Sequence, residues 1–467
     1  MPKLNFGYLS LVTVLCFLLT APVCEASFEE VTTVSFQSLC QGDIAWGDFD
    51  NDGLTDVAIS GIEFTSEYGQ RYFTKIYRNE GDGTFTDINA NLPDVRWGAL
   101  AWGDFNNDGL LDLAVTGARL PSEGDPITCI YRNDGNGIFT DINAGLPGMI
   151  NSSAAWGDFN NDGLLDLAVC GTSSESTWTT KIFKNEGNGV FSDIDAAVPG
   201  VYGGQIAWGD SNNDGYIDLA ICGRANTGPI AAIYLNKNGD GDFVDSGVTL
   251  SGAETGAALA WGDYNSDGHL DLVIAGTSQY GRITRIYRNN GDGTYTATLQ
   301  PVGVDESAVA WGDYDNDGDI DLIVTGLAQY SIPTTKLYRN DSGNLVDTGL
   351  NLGNLAYSSA AWSDFDNDGK LDLMLMGATN NDPNHPTAVI RLFKNTSLTP
   401  NSFPTAPGNL QVTYQQDKPV LSWVTGSDTE TPASGLSYNM RMGTTSGGID
   451  VISGMSDATG LRKVPAM

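Results

Sequence analysis

The sequence predicts an all-β chain: a seven-bladed β-propeller closed by pairing of its N- and C-terminal strands, followed by a partial β-sandwich module. Three observations carry this. The segment Ala45-Trp46-Gly47-Asp48-Phe49 recurs with its tryptophan at Trp102, Trp156, Trp208, Trp261, Trp311 and Trp362, at successive spacings of 56, 54, 52, 53, 50 and 51 residues. Each copy but the last, which supplies three, holds four short runs of strand-forming residues separated by Gly, Asn and Asp turns, the content of one propeller blade. With 57 Gly, only 18 Pro and 10% aromatic residues, the chain has both the turns and the rings that a repetitive β core needs.

Residues 1–26 read as a secretory signal. Lys3 precedes an apolar run over residues 9–20, and small residues precede a cut after Ala26. The run falls short of the ~20 apolar residues of a membrane span, so the protein is expected to be secreted or held at the cell surface. Residues 27–31, Ser-Phe-Glu-Glu-Val, match residues 84–88, Thr-Phe-Thr-Asp-Ile, which form the fourth strand of the first blade. They are expected to supply the fourth strand of the last blade, which stops after its third strand at Asn395. Pairing these ends leaves no open sheet edge.

The array runs over residues 27–397. In each blade the Trp strand leads through an acidic loop into an apolar strand ending in Gly, such as Leu113-Ala114-Val115-Thr116-Gly117. A loop of variable length follows, then a strand with the signature Ile76-Tyr77-Arg78-Asn79, then a tight turn such as Gly81-Asp82-Gly83 and a fourth strand. A tryptophan at one position in every blade is expected to pack blade against blade. Residues 398–404 form a linker.

The formal charge of −35, from 58 acidic and 23 basic residues, excludes nucleic acid and an anionic membrane surface as partners. After signal removal Cys40, Cys129, Cys170 and Cys222 remain, too few for a disulfide scaffold. Cys170 and Cys222 hold equivalent strand positions and read as small strand residues; one disulfide stays open as an alternative.

The acid has a pattern. The loop after each Trp strand reads Asp-x-Asp/Asn-x-Asp-Gly-x-x-Asp. Its members are Asp48, Asp50, Asp52 and Asp56; Asp104, Asn106, Asp108 and Asp112; Asp158, Asn160, Asp162 and Asp166; and Asp210, Asn212, Asp214 and Asp218. The remaining three are Asp263, Asn265, Asp267 and Asp271; Asp313, Asp315, Asp317 and Asp321; and Asp364, Asp366, Asp368 and Asp372. The seventh loop position offers a backbone carbonyl: Leu54, Leu110, Leu164, Tyr216, His269, Asp319 and Lys370. Oxygens at alternate positions of a tight loop converge, and hard anionic oxygens select Ca²⁺, which takes six to eight in flexible geometry. The spacing matches the front of an EF-hand loop, but the twelfth position of the second copy is Val115, so the ninth-position Asp must close the site. Up to seven Ca²⁺ are expected, one per blade, and 24 of the 58 acidic residues lie at these positions.

This segment resembles the FG-GAP/VCBS repeat family, best known from the seven-bladed propeller of integrin α-subunits. The resemblance spans residues 28–395. It implies a calcium-bound propeller with a role in extracellular adhesion or ligand recognition. Ser211 in place of the loop aromatic and Ser363 in place of the Gly before Asp364 depart from the pattern without removing a carboxylate. Residues 405–467 resemble the opening of a fibronectin type III module, on Pro404-Thr405-Ala406-Pro407, the Trp423 strand and the strand around Tyr438. They are fewer than the ~100 residues of a full sandwich, as in a piece of a longer surface protein.

Strand order puts the acidic loops on one face and the loops between second and third strands on the other. The latter carry the candidate ligand-face aromatics Phe64, Tyr68, Tyr72, Trp178, Tyr280 and Tyr330. The two histidines, His269 and His385, join no Ser/His/Asp or Cys/His set, so no catalytic residue is assigned and no enzyme activity is expected. The expected function is recognition of an extracellular protein or glycan. A polysaccharide lyase or hydrolase on the same scaffold and a structural module of a surface protein are the alternatives.

Overall fold

The computed structural model describes residues 28–65, 69–119, 125–173, 177–254, 256–298, 301–382, 385–397, 405–415 and 418–427. Residues 1–26, expected to be a secretory signal, and the region around Tyr438 lie outside them. The described chain is all-β: its strands are antiparallel, and its helical content is one 3-10 turn at Gln329–Ser331. The first sequence copy folds as a meander of Ile44–Gly47, Asp56–Thr65, Gly69–Asn79 and Phe85–Asp87. The fourth repeats it with Tyr202–Gly209, Asp218–Ala225, Gly228–Asn236 and Phe243–Asp245, and the fifth and sixth copies follow. The second strand runs on beyond its Gly, to Thr65 in the first copy, where a strand end at Gly61 was expected.

Copies two and three differ from the simple four-strand plan. The first strand of the third, Met149–Gly157, pairs through Met149 with Ile127 of the copy before it, which joins both into one nine-stranded sheet. The last copy consists of Ala356–Ser363, Asp372–Ala378 and Ala388–Asn395, with the N-terminal strand Phe28–Glu30 on its outer edge. Phe28 pairs with Asn395 and Glu30 with Phe393, the register in which Phe85 pairs with Asn79 and Asp87 with Tyr77.

The core lies between neighbouring units. One cluster joins Phe49, Ala58 and Ile76 of the first copy to Val95, Leu100, Trp102 and Leu113 of the second. Another joins Trp46, Val57 and Ile59 of the first to Phe365, Met374 and Leu392 of the last. The repeated tryptophans sit in these seams. In five of the seven the indole N–H donates to an alanine carbonyl of the preceding copy, as Trp102 to Ala45 at 3.1 Å, Trp156 to Ala101 at 3.0 Å and Trp208 to Ala155 at 3.2 Å, whereas those of Trp46 and Trp311 are buried without an acceptor. The ring stacks on the preceding loop aromatic, with Phe49–Trp102 centroids 6.3 Å apart at 10° and Tyr314–Trp362 at 6.4 Å and 9°. In those five a buried polar N–H thereby finds its acceptor while the ring fills the seam. Strands Gly408–Gln415 and Lys418–Val424 pair with each other as a two-stranded antiparallel sheet.

Candidate metal centres

Each acidic loop is held by its own amides. The first Asp folds back over the turn: Asp48 Oδ1 accepts the Asp52 amide and Oδ2 the Gly53 amide, both at 3.1 Å. The same pair of bonds recurs at Asp104, Asp158, Asp210, Asp263, Asp313 and Asp364. The fifth-position Asp forms an Asx turn, its Oδ1 accepting the amide two residues on. Those bonds reach Leu54 at 2.8 Å, Leu110 at 2.9 Å, Leu164 at 3.0 Å, Tyr216 at 2.9 Å, His269 at 3.1 Å, Asp319 at 3.0 Å and Lys370 at 3.2 Å.

The ninth-position Asp is a knot between loop and third strand. Asp56 is fully buried; its Oδ1 accepts the amide of Asn79 at 2.8 Å and its Oδ2 that of Phe49 at 3.1 Å. Asp112, Asp166, Asp218, Asp271, Asp321 and Asp372 repeat this. The asparagine that donates then turns its side-chain amide to the preceding copy: Asn133 reaches the Phe49 carbonyl at 2.8 Å and Asn79 the Phe365 carbonyl at 2.7 Å.

Three loops bring three carboxylates together. Ligand oxygens of Asp48, Asp50 and Asp56 lie within 4.8 Å of one another, as do those of Asp313, Asp315 and Asp321, and of Asp364, Asp366 and Asp372. In the other four loops Asn106, Asn160, Asn212 and Asn265 take the third position. The fifth-position acids, Asp52, Asp317 and Asp368 among them, are not members of these groups; their Oδ1 atoms are committed to the Asx turns.

Burial, then the neighbouring carboxylates, push the convergent acids upward. Asp48 rises to about 6, Asp56 and Asp372 to about 8, Asp313 to about 7, Asp315 to about 6 and Asp321 to about 9. The Oδ1 atoms of Asp315 and Asp366 are buried without a hydrogen-bond partner. A crowded all-oxygen donor set with orphaned carboxylate oxygens fits a hard divalent cation. Such an ion would reverse the electrostatics that raise these groups.

Two features escape the Asp pattern. At the fourth loop position the backbone is left-handed, and Asn stands there in every copy but the fifth, where Ser266 does. Each Asn donates its side-chain amide to the loop glycine carbonyl of the next copy: Asn51 to Gly109 at 2.9 Å, Asn107 to Gly163 at 2.7 Å, and Asn367 to Gly53 at 2.7 Å. In the seventh copy, Lys394 sets its ammonium against Asp366 and, at 3.2 Å, Asp368.

At the opposite face, Tyr280 and Tyr330 are 87% and 84% exposed. Phe64 and Trp178 are half-buried, and Trp178 stacks on Tyr202 at 5.8 Å and 17°. Tyr72 is a correction to the expected ligand face: it is 3% exposed, with the Arg96 guanidinium 4.8 Å from its ring centroid. Arg96 is itself buried, and the ring face gives its cation a partner in place of water. Tyr68 lies outside the described residues. Cys40, Cys170 and Cys222 are buried free thiols, each pushed up to about 12 by burial, and Cys129 is also free.

A model of the FG-GAP-like repeat matches five segments: residues 48–115, 122–169, 158–221, 210–274 and 263–324. The chain belongs to the FG-GAP-like repeat family. Four of the matched FG-GAP-like segments begin at the first Asp of a loop, so the family's unit runs from one acidic loop into the next copy. The loop at Asp364 lies beyond the last match. No curated protein matches the chain in sequence. Among solved structures, the BP39L lectin from Burkholderia pseudomallei is 12% identical, with a TM-score of 0.51 over 78% of this chain and 97% of the lectin, a shared fold. A lectin from Agrocybe aegerita that recognises non-reducing terminal N-acetylglucosamine is 20% identical, with a TM-score of 0.46 over 68% of this chain and 83% of its own. A rhamnogalacturonan lyase from Bacillus licheniformis is 13% identical, with a TM-score of 0.45 over 79% and 76%.

Proposed function

We propose that the FG-GAP-like units close into a seven-bladed propeller over residues 27–397, that their Asp loops bind Ca²⁺, and that the exported protein recognises a glycan. Contacts of the last copy with the first support closure: the shared core cluster, the Asn79 and Asn367 bridges and the Phe28–Glu30 pairing. Ca²⁺ in the loops neutralises crowded carboxylates and ties loop to strand; it takes part in no reaction.

The observation that carries the recognition reading is polarity along the strands. An acidic loop follows every first strand, with convergent carboxylates in three of them, and the exposed rings Tyr280 and Tyr330 stand on turns toward the other end. Flat apolar rings with polar edges, mounted on a rigid frame, suit ligands that present both C–H faces and hydroxyls. The acids serve the loops, and His269 and His385 lie in surface loops beside Asn213 and Asp382, which supports binding in place of catalysis.

The test is the calcium-loaded full chain on a glycan array, run beside incubation with polysaccharides. Binding without product formation is expected. Release of unsaturated oligosaccharides would move the protein to the lyase class. A protein ligand captured with no glycan bound would overturn the glycan reading.

A further inference from the structure

The end of each first strand that faces away from the acidic loops has a repeated geometry of its own. Five residues before each repeated tryptophan the backbone is left-handed. Gly203 and Gly256 hold this position in the fourth and fifth copies, at φ 58° and 72°. In the other copies it falls to Glu306 (46°), Tyr357 (52°), Gln41 (56°), Trp97 (52°) and Asn151 (47°). Backbone hydrogen bonds string the positions into a belt of two arcs, one through Tyr357, Gln41 and Trp97 and one through Gly203, Gly256 and Ser307. The Gln41 amide donates to the Tyr357 carbonyl and the Trp97 amide to the Gln41 carbonyl, both at 3.1 Å; Gly256 donates to Gly203 at 2.7 Å and Ser307 to Gly256 at 3.0 Å.

The belt needs only backbone atoms, and the two glycines meet that need without strain. A Trp, Tyr, Glu or Gln there adopts a conformation its Cβ resists. These side chains occupy consecutive copies, from the sixth through the seventh to the first and second, and all are partly exposed. The fourth and fifth copies, with glycine, leave the other arc bare.

The arc is ordered. The Trp97 indole donates to Gln41 Oε1 at 2.9 Å, and the Arg96 guanidinium lies 3.7 Å from the Trp97 ring centroid. With Oε1 taken, Gln41 offers a ligand its NH₂ group. Glu306 folds over Gly256, where a Cβ would lie 2.9 Å from its carboxyl carbon. The Tyr357 hydroxyl lies 3.4 Å from Asn381 Oδ1.

We infer that this arc binds a neutral sugar residue, with the Trp97 ring as the stacking platform and Gln41, Tyr357 and Glu306 as hydroxyl partners. The inference rests on the glycan reading above and names the site and the sugar class. A rigid aromatic face beside a donor and an acceptor suits alternating C–H and hydroxyl groups, whereas an extended peptide would need a run of backbone partners that the belt has already used. Asp305 at this end of the strands is paired with Arg282 at 2.8 Å, so the arc holds no cation left over for an acidic sugar from that pair, and the formal charge of −35 on the chain disfavours uronic and sialic acids.

The experiment compares the native full chain with Trp97→Gly, Trp97→Phe and Trp178→Ala, all with calcium, on arrays of neutral and uronic-acid glycans and of peptides. Glycine takes the belt conformation without strain, and an unchanged melting temperature verifies that the fold persists. Neutral glycans are expected to bind the native chain, to lose about 30-fold in Trp97→Gly, the scale of a truncated aromatic anchor, and to stay near native in Trp97→Phe and Trp178→Ala. Native-like binding by Trp97→Gly with loss in Trp178→Ala would overturn this site and leave glycan recognition standing. A preference for uronic acids would overturn the neutral-sugar class. Binding to peptides alone, or to nothing, would overturn both the site and the recognition reading.

Discussion

The first strands of the repeat have two ends that follow opposite rules. At the acidic end the copies are nearly interchangeable: the first Asp caps the turn, the fifth forms an Asx turn and the ninth ties loop to strand in all seven. At the belt end the backbone is equally regular, yet the side chains are Gln41, Trp97, Asn151, Gly203, Gly256, Glu306 and Tyr357. The same scaffold therefore separates what must be repeated for the units to pack from what is free to differ. Damage at the acidic end should cost stability, and damage at the belt end should cost little or none.

Calcium removal is the severest test of the first half of that statement. A site saturated at 100 times its Kd contributes about 2.7 kcal/mol. Loss of the three triple-carboxylate loops should then lower Tm by about 10 °C in calorimetry. An unchanged Tm in excess chelator would remove the metal role. Next comes Asp112→Ala, which strands the amides of Asn133 and Phe105, bonded at 2.8 and 3.2 Å, in a fully buried site. It should cost about 3–5 kcal/mol in urea denaturation. The loss should persist in chelator, because the knot is made of hydrogen bonds; a loss seen only with calcium would mean that the residue acts solely as a ligand.

The belt end should behave in the opposite sense. Burial, with the like charge of Asp305 and against the pull of Arg282, raises Glu306 to about 7 from its ordinary 4.5. A raised carboxyl favours the protonated native state, so its stabilising contribution is complete below the unfolded value and is lost as pH rises through 7. Glu306→Gln should therefore match the native chain near pH 4 and exceed it by about 1–3 kcal/mol at pH 8. Equal pH profiles would show that the carboxyl is well solvated there. The smallest effect is a repair. Ser266 sits at φ 56° where the other copies have the bridging Asn, so Ser266→Asn should add one amide-to-carbonyl link and about 0.5–1.5 kcal/mol in the same denaturation assay. A loss of stability would mean that the seam between the fifth and sixth copies differs from the others.

Much of this was legible because repetition multiplies weak signals. One Asp-Gly turn says little, but seven in register, each after a Trp strand, fix the meander and the loop acids. The N-terminal strand was readable because Phe28 aligns with Phe85 in the same pattern. What escaped depends on partners far along the chain. The ninth Asp reads as a ligand, and its bond to the Asn79 amide appears only when strand register brings residue 79 to residue 56. The fourth-position Asn reads as an ordinary turn residue, although its recurrence in six copies was a signal of its second task across the seam. Tyr72 looked like a loop aromatic because the strand Gly69–Asn79 begins earlier than its pattern suggests. The left-handed belt left no trace, since Trp, Tyr, Glu and Gln are the residues least expected there.

The pairing of Phe28 with Asn395 has a mechanical consequence. The chain enters at Phe28 on the edge strand and leaves at Asn395 on the strand beside it, the two paired at one end of a ladder only three residue pairs long. Tension applied through the flanking segments loads the ladder from its open end and peels it one rung at a time, instead of shearing all rungs together. The junction is the place where pulling would open the array first, at low force, while the seams between the other copies stay shut.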